Sequence, residues 1–119
     1  MEKRNTEKRG DHRHTLALDT EVHFNEKNVE GIFRCRTKNI GLQGAFLPSK
    51  AIPITSDTYI ELILMAGTHP VPKQYRLQAH VVRSSDEGTG LVFSELNNEQ
   101  QLDFRRFLYK AKVAARYSN

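Results

Sequence analysis

The chain contains no tryptophan, a single cysteine and no long apolar run. Each absence excludes something. Without tryptophan, the largest stacking surface for exposed bases is missing. One cysteine, Cys35, allows neither an internal disulfide nor an all-cysteine metal cluster. No stretch approaches the roughly 20 apolar residues that span a bilayer as a helix. The opening residues, MEKRNTEKRG, lack the apolar stretch of a secretory signal. These features point to a protein of the reducing cytoplasm without a membrane span. The five histidines are scattered without a metal-ligand spacing, and no serine, cysteine or lysine sits in a recognisable nucleophile motif. The expectation is a binding protein, not an enzyme, with no metal and no cofactor.

What is present is 119 residues, 38% hydrophobic and 27% charged, enough for one small domain. The formal charge of +4 is not evenly spread. Between Leu102 and Asn119, Arg105, Arg106, Lys110, Lys112 and Arg116 face one acidic residue, Asp103, and the charges of the remaining chain cancel. A second basic cluster, Lys3, Arg4, Lys8, Arg9 and Arg13, is diluted by Glu2, Glu7 and Asp11. Either cluster suits an anion, and neither is dense enough to demand nucleic acid.

Residues 1–14 have almost no apolar content and read as a flexible basic arm. From Thr15 the chain changes to short apolar segments with turn residues between them. Leu16 and Leu18 alternate, then Val22 and Phe24, with Asp19 and Thr20 expected to break the run. Phe33, Cys35 and Thr37 alternate with Arg34, Arg36 and Lys38, the period of a half-buried strand. Further strands are expected at Gly44–Leu47, Ile60–Leu64, Tyr75–Val81 and Gly90–Phe93, with a turn at Ser84–Gly88. The sum is a small barrel or sandwich over residues 15–95. The remainder, 96–119, changes to helical spacing. Phe104, Phe107, Leu108, Ala111, Ala114 and Ala115 define one face, and Arg105, Lys112 and Arg116 fall opposite. Asn97 followed by Gln100 marks a capping box at its start.

Two short motifs carry the chemistry. Arg9 and Arg13 are four apart at the junction of arm and first strand, and guanidinium forks match phosphate oxygens or a guanine edge. Asn39-Ile40-Gly41-Leu42-Gln43-Gly44 offers an amide and two glycines, which permit close backbone approach and a positive φ. Alone, each is an ordinary feature: a solvated tail and a tight strand connection. Together, in this order and about thirty residues apart, they match R-x-x-x-R and [D/N]-x-S-x-x-G, and the chain resembles the PilZ domain family. The likeness continues through Gly44-Ala45-Phe46-Leu47, Ala79-His80-Val81-Val82-Arg83 and Gly88-Thr89-Gly90-Leu91-Val92-Phe93.

The resemblance implies a mainly β protein, a six-stranded antiparallel PilZ-type β-barrel with a C-terminal α-helix and a flexible N-terminal arm. It also implies a ligand, the second messenger cyclic di-GMP, bound by Arg9, Arg13, Asn39, Gly41 and Gly44, with Arg4 and Lys8 as accessories. One departure stands out. The motif serine is Gly41 here, and losing one neutral hydrogen bond costs about 0.5–1.5 kcal/mol. The expected function is a cyclic di-GMP receptor whose arm orders on the ligand and which signals through a protein partner. The alternatives are a PilZ-like adaptor that has lost the nucleotide, favoured by Gly41, and a small nucleic-acid-binding barrel, which the shortage of aromatic-rich strands opposes.

Overall fold

A computed structural model describes residues 15–26, 29–48, 58–67 and 73–117. The expected arm, with Arg4, Lys8, Arg9 and Arg13, lies outside the described residues. Seven antiparallel strands form one sheet: β1 (Asp19–Glu26), β2 (Val29–Arg36), β3 (Asn39–Ile40), β4 (Gly44–Leu47), β5 (Tyr59–Ala66), β6 (Lys73–Ser85) and β7 (Gly88–Phe93). Their order is β2-β1-β5-β6-β7-β4-β3. Helix α1 (Asn98–Tyr117) follows. The seventh strand, beyond the expected six, is the two-residue β3, which opens the second motif.

Period-2 alternation decides what is inside. Val22, Ile60, Leu62, Leu64, Leu77, Ala79, Val81, Leu91, Ala45 and Leu47 form one buried cluster across the inner face of the sheet. Helix α1 adds Phe104, Leu108 and Ala111 to that cluster. Phe104 is fully buried, stacked on Tyr75 at 5.0 Å between ring centroids and edge-on to Phe93 at 5.5 Å. The capping box is reciprocal. The Gln100 amide donates to the Asn97 side-chain oxygen at 2.8 Å, and the Asn97 amide donates to the Gln100 side chain at 2.9 Å.

The structure moves several boundaries. Asp19 and Thr20 do not break a strand but open β1, because the Thr20 side chain turns inward and donates its hydroxyl to the Leu18 carbonyl at 2.9 Å. Leu16 and Leu18 are core residues on an irregular lead-in, not a strand. Ser84 and Ser85 remain in β6, paired with Thr89 and Gly88, so the turn contracts to Asp86-Glu87. Ala114 and Ala115 are exposed: the apolar face of α1 is covered only as far as its middle turns.

Candidate functional site

The second motif is built as a hairpin. Asn39 pairs with Phe46 and Ile40 with Ala45. The Gly41 amide donates to the Gly44 carbonyl at 2.9 Å, leaving Leu42-Gln43 as the two bent residues at the tip. The tip is tied to the main sheet, since the Phe93 amide donates to the Gln43 carbonyl at 2.8 Å and Gly44–Leu47 pair along β7. Ile40 is fully buried and anchors the hairpin, Gly41 and Gly44 are buried, and Asn39 is half-buried. Asn39, Gly41 and Gly44 are therefore brought together on one rigid element. Gly41 and Gly44 do not use the positive φ that glycine permits. Among the described residues the glycines with positive φ are Gly67 and Gly88.

The lead-in to β1 is clamped beside this hairpin. Thr37, two residues before Asn39, is buried, donates its hydroxyl to the Leu16 carbonyl at 2.6 Å and accepts from the Leu18 amide at 3.0 Å. Its own amide donates to the Leu18 carbonyl at 3.0 Å. Arg36 adds a bond to the Ala17 carbonyl at 3.4 Å and an ion pair to Asp19 at 3.2 Å. Residues 16–19 thus hold a fixed place against the strand that runs into the motif.

Three further residues border the hairpin, and reasoning from sequence did not assign them to it. The register places Asn39, Phe46, Gly90 and Arg83 opposite one another in a row across β3, β4, β7 and β6. The half-buried Phe46 ring has the Lys38 ammonium 5.9 Å from its centroid and the Arg83 guanidinium at 5.8 Å. Arg83 reaches this row because the register of β6 shifts between Val81 and Arg83. Val82 is the extra residue of a bulge, and a bulge turns every later side chain to the other face. The Phe46–Gly90 and Arg83–Gly90 pairings hold the signal for this cluster. They are visible only once strands are aligned.

The arginines of β2 are differently employed. Arg34 bonds Glu21 at 3.2 Å, with His23 on the other oxygen of that carboxylate at 3.0 Å, and both contacts hold the Glu21 pKa below its usual range. Arg36 is paired with Asp19. They border a depression of about 590 Å³ that also takes in Cys35 and Met65, but their charges are already matched. Lys38 and Arg83 have no carboxylate partner among the described residues. Burial pushes the Cys35 thiol up to about 11, which leaves it a weak nucleophile. Among the described residues no group of three histidine, cysteine or acidic side chains could hold a metal. The site offers an amide, backbone groups and two cations without a carboxylate partner among the described residues, donors that suit an anionic ligand with polar edges.

The family profile described as PilZ domain matches residues 7–110. No curated protein sequence matches the chain. Among solved structures, the chain is similar to the PilZ domain of CeSA from a cellulose-synthesizing bacterium, with a TM-score of 0.65 and 16% identity over 85% of this chain and 98% of that one. It is similar to the Bacillus subtilis inhibitor of motility MotI/DgrA, with a TM-score of 0.61 and 17% identity over 87% of this chain and 50% of that one. It is also similar to MrkH of K. pneumonia, solved as a complex with c-di-GMP, with a TM-score of 0.65 and 16% identity over 100% of this chain and 56% of that one. The chain spans about half the length of the last two. At these identities the likeness is one of fold.

Proposed function

The chain belongs to the PilZ domain family, and from that premise we propose that it is a cytoplasmic receptor for cyclic di-GMP that orders its N-terminal arm on the ligand and signals through a protein partner. The observation that carries this reading is the Thr37 clamp. It fixes Leu16 beside the strand leading to Asn39, Gly41 and Gly44. Arg13 precedes Leu16 by three residues and Arg9 by seven, so chain length alone limits their Cα atoms to about 11 Å and about 25 Å from that anchor. A chain of that length permits both guanidinium groups to come to the hairpin mouth. The ligand of the MrkH complex supports the same choice of messenger.

The division of labour follows from the chemistry of a cyclic purine dinucleotide with two phosphates. Arg9 and Arg13 supply charge-assisted bonds to phosphate and guanine, Asn39 reads a guanine edge, and Gly41 and Gly44 let the backbone approach. Arg4 and Lys8 extend the cationic arm. Lys8, next to the first motif arginine, favours a stacked pair of ligands over one. Ordering the arm costs conformational entropy that these contacts offset, and the ordered arm is the shape a partner reads. The chemistry is binding, with no reaction. No described helix is long and apolar enough to cross a membrane.

Calorimetric titration of the protein with cyclic di-GMP tests this reading. Saturable heat that is lost in Arg9→Ala and Arg13→Ala, together with slower tryptic cleavage before residue 15 in the presence of ligand, is the expected result. A wild type that gives no heat at high ligand concentration leaves the second reading, an adaptor that binds protein alone, which Gly41 in place of the motif serine favours.

A further inference from the structure

We propose that Arg83, laid over the Phe46 ring, is the platform on which one purine base of the bound cyclic dinucleotide stacks, with Lys38 as the neighbouring cation. The inference rests on the cyclic di-GMP reading above, and it assigns to that site a residue outside both motifs.

Three independent features of the fold converge on it. The first is the bulge at Val82. Without it Arg83 would follow Val81, which is fully buried, by two residues and point into the core. With it, Arg83 stands opposite Gly90 on the outer face. The second is Gly90 itself. A β-carbon there would lie 3.7 Å from the Arg83 Cβ and Nε and 3.8 Å from a terminal guanidinium nitrogen. The arginine therefore runs alongside the space that a larger side chain would fill, and the guanidinium reaches Phe46 on the next strand. The third is charge. Lys38 and Arg83 converge on one ring with no carboxylate between them among the described residues. Two cations beside one ring favour a ligand that carries negative charge next to its base.

The geometry suits a base more than a simple ion. A guanidinium is planar, weakly hydrated and stacks on π systems, and this one lies 5.8 Å from the Phe46 ring centroid. The row from Asn39 to Arg83 crosses three strand spacings, about 14 Å. One end carries an amide that reads a base edge, and the other carries a flat cation that covers a base face. Lys38 immediately precedes Asn39 and offers a point charge for phosphate.

The test uses cyclic di-GMP in calorimetry with wild type, Arg83→Ala, Arg83→Lys and Phe46→Leu, and a 2-aminopurine-substituted cyclic dinucleotide whose fluorescence is quenched on stacking. A base stack is worth enough that Arg83→Ala should weaken binding roughly 5- to 140-fold. Arg83→Lys keeps the charge but loses the plane, so it should remain several-fold weak and should lose the quenching. Phe46→Leu frees the guanidinium and should weaken binding less than Arg83→Ala. Arg83 is exposed, so its substitutions leave folding intact, and thermal melts check the half-buried Phe46→Leu as well. Arg83→Ala binding within twofold of a wild type that itself binds, or Arg83→Lys restoring full affinity and quenching, overturns the platform and leaves the cyclic di-GMP site standing. A wild type that binds no cyclic di-GMP overturns both.

Discussion

The Thr37 hydroxyl donates to the Leu16 carbonyl at 2.6 Å while accepting from the Leu18 amide at 3.0 Å, so one buried side chain satisfies two backbone groups 21 and 19 residues away in sequence. Thr37→Val keeps the shape and leaves both groups unpaired. Removing a partner from a buried polar group costs about 1–3 kcal/mol. The expected loss for the pair is about 2–6 kcal/mol in denaturant unfolding, with an unchanged denaturant slope. The same variant should weaken cyclic di-GMP, because the segment that follows Arg13 is no longer anchored beside the hairpin. Thr37→Ser retains the hydroxyl and should recover most of both losses. Equal stability of the valine variant and wild type would remove the clamp from the account.

Gly88 joins the bulged end of β6 to β7 with a φ of 146°, and a β-carbon there would lie 2.1 Å from the Leu47 carbonyl oxygen and 2.7 Å from the Phe46 ring. A carbonyl paired in a sheet cannot retreat as a side chain can. Gly88→Ala should destabilise the fold by at least about 3 kcal/mol, a drop in melting temperature of roughly 12 °C or more for a chain of this size. Gly67→Ala is the control. Its φ of 79° is also left-handed, but nothing lies within 4 Å of its β-carbon position, so only the backbone term of about 1–2 kcal/mol remains. Similar melting temperatures for the two variants would show that the close approach at Gly88 is relieved without cost.

Burial raises the Cys35 thiol from its ordinary value of 9.0 to about 11. Its neighbours Arg34 and Arg36 do not reverse this, because strand alternation points them away from it and Glu21 and Asp19 pair with them. Between these two pH values the unfolded chain releases the thiol proton and the folded chain keeps it. Stability is therefore whole below about pH 9 and falls as pH rises toward 11. Cys35→Ala should flatten that fall, measured as the difference in unfolding free energy between pH 8 and pH 10.5. Thiolate absorbance of the native protein should show a midpoint near pH 11. A native midpoint at or below 9.0 would refute the burial argument.

What the sequence made legible was whatever depends on neighbours along the chain. The alternation of Ile60, Leu62 and Leu64 and of Leu77, Ala79 and Val81 marks strands because a strand exposes every second residue to the same face. Asn97 and Gln100 mark the start of α1 because a capping box is local. Asn39, Gly41 and Gly44 sit together for the same reason. Residues that depend on register were not legible. Arg83 follows Val82 and looks like the end of a strand, and only the slip against Gly90 places it over Phe46. Thr37 looks like one more inward position of β2, and its bonds to Leu16 and Leu18 come from a segment with no strand pattern. Ala114 and Ala115 follow the helical period but are exposed, since period alone does not say how far a covering sheet extends.

Gly41 is the one position where the chain departs from the motif it resembles, and restoring the serine is the most direct test of where the guanine lies. Gly41 is buried, and its amide already donates to the Gly44 carbonyl, so the backbone there is set by the hairpin and not by the side chain. It is not among the glycines with positive φ, so a serine adopts the same conformation without left-handed strain. Replacing a glycine at such a position narrows the unfolded ensemble and should leave stability level or slightly raised. The added hydroxyl contributes one neutral hydrogen bond to the ligand, about 0.5–1.5 kcal/mol. Gly41→Ser should therefore tighten cyclic di-GMP by roughly 2- to 13-fold in calorimetry. It should do so in the Arg83→Ala background as well, because the two groups act on different parts of the ligand and independent contacts add. A fall in affinity with an unchanged melting temperature would mean that a base or the backbone already fills the space at residue 41, and that the guanine edge must be sought elsewhere on the hairpin.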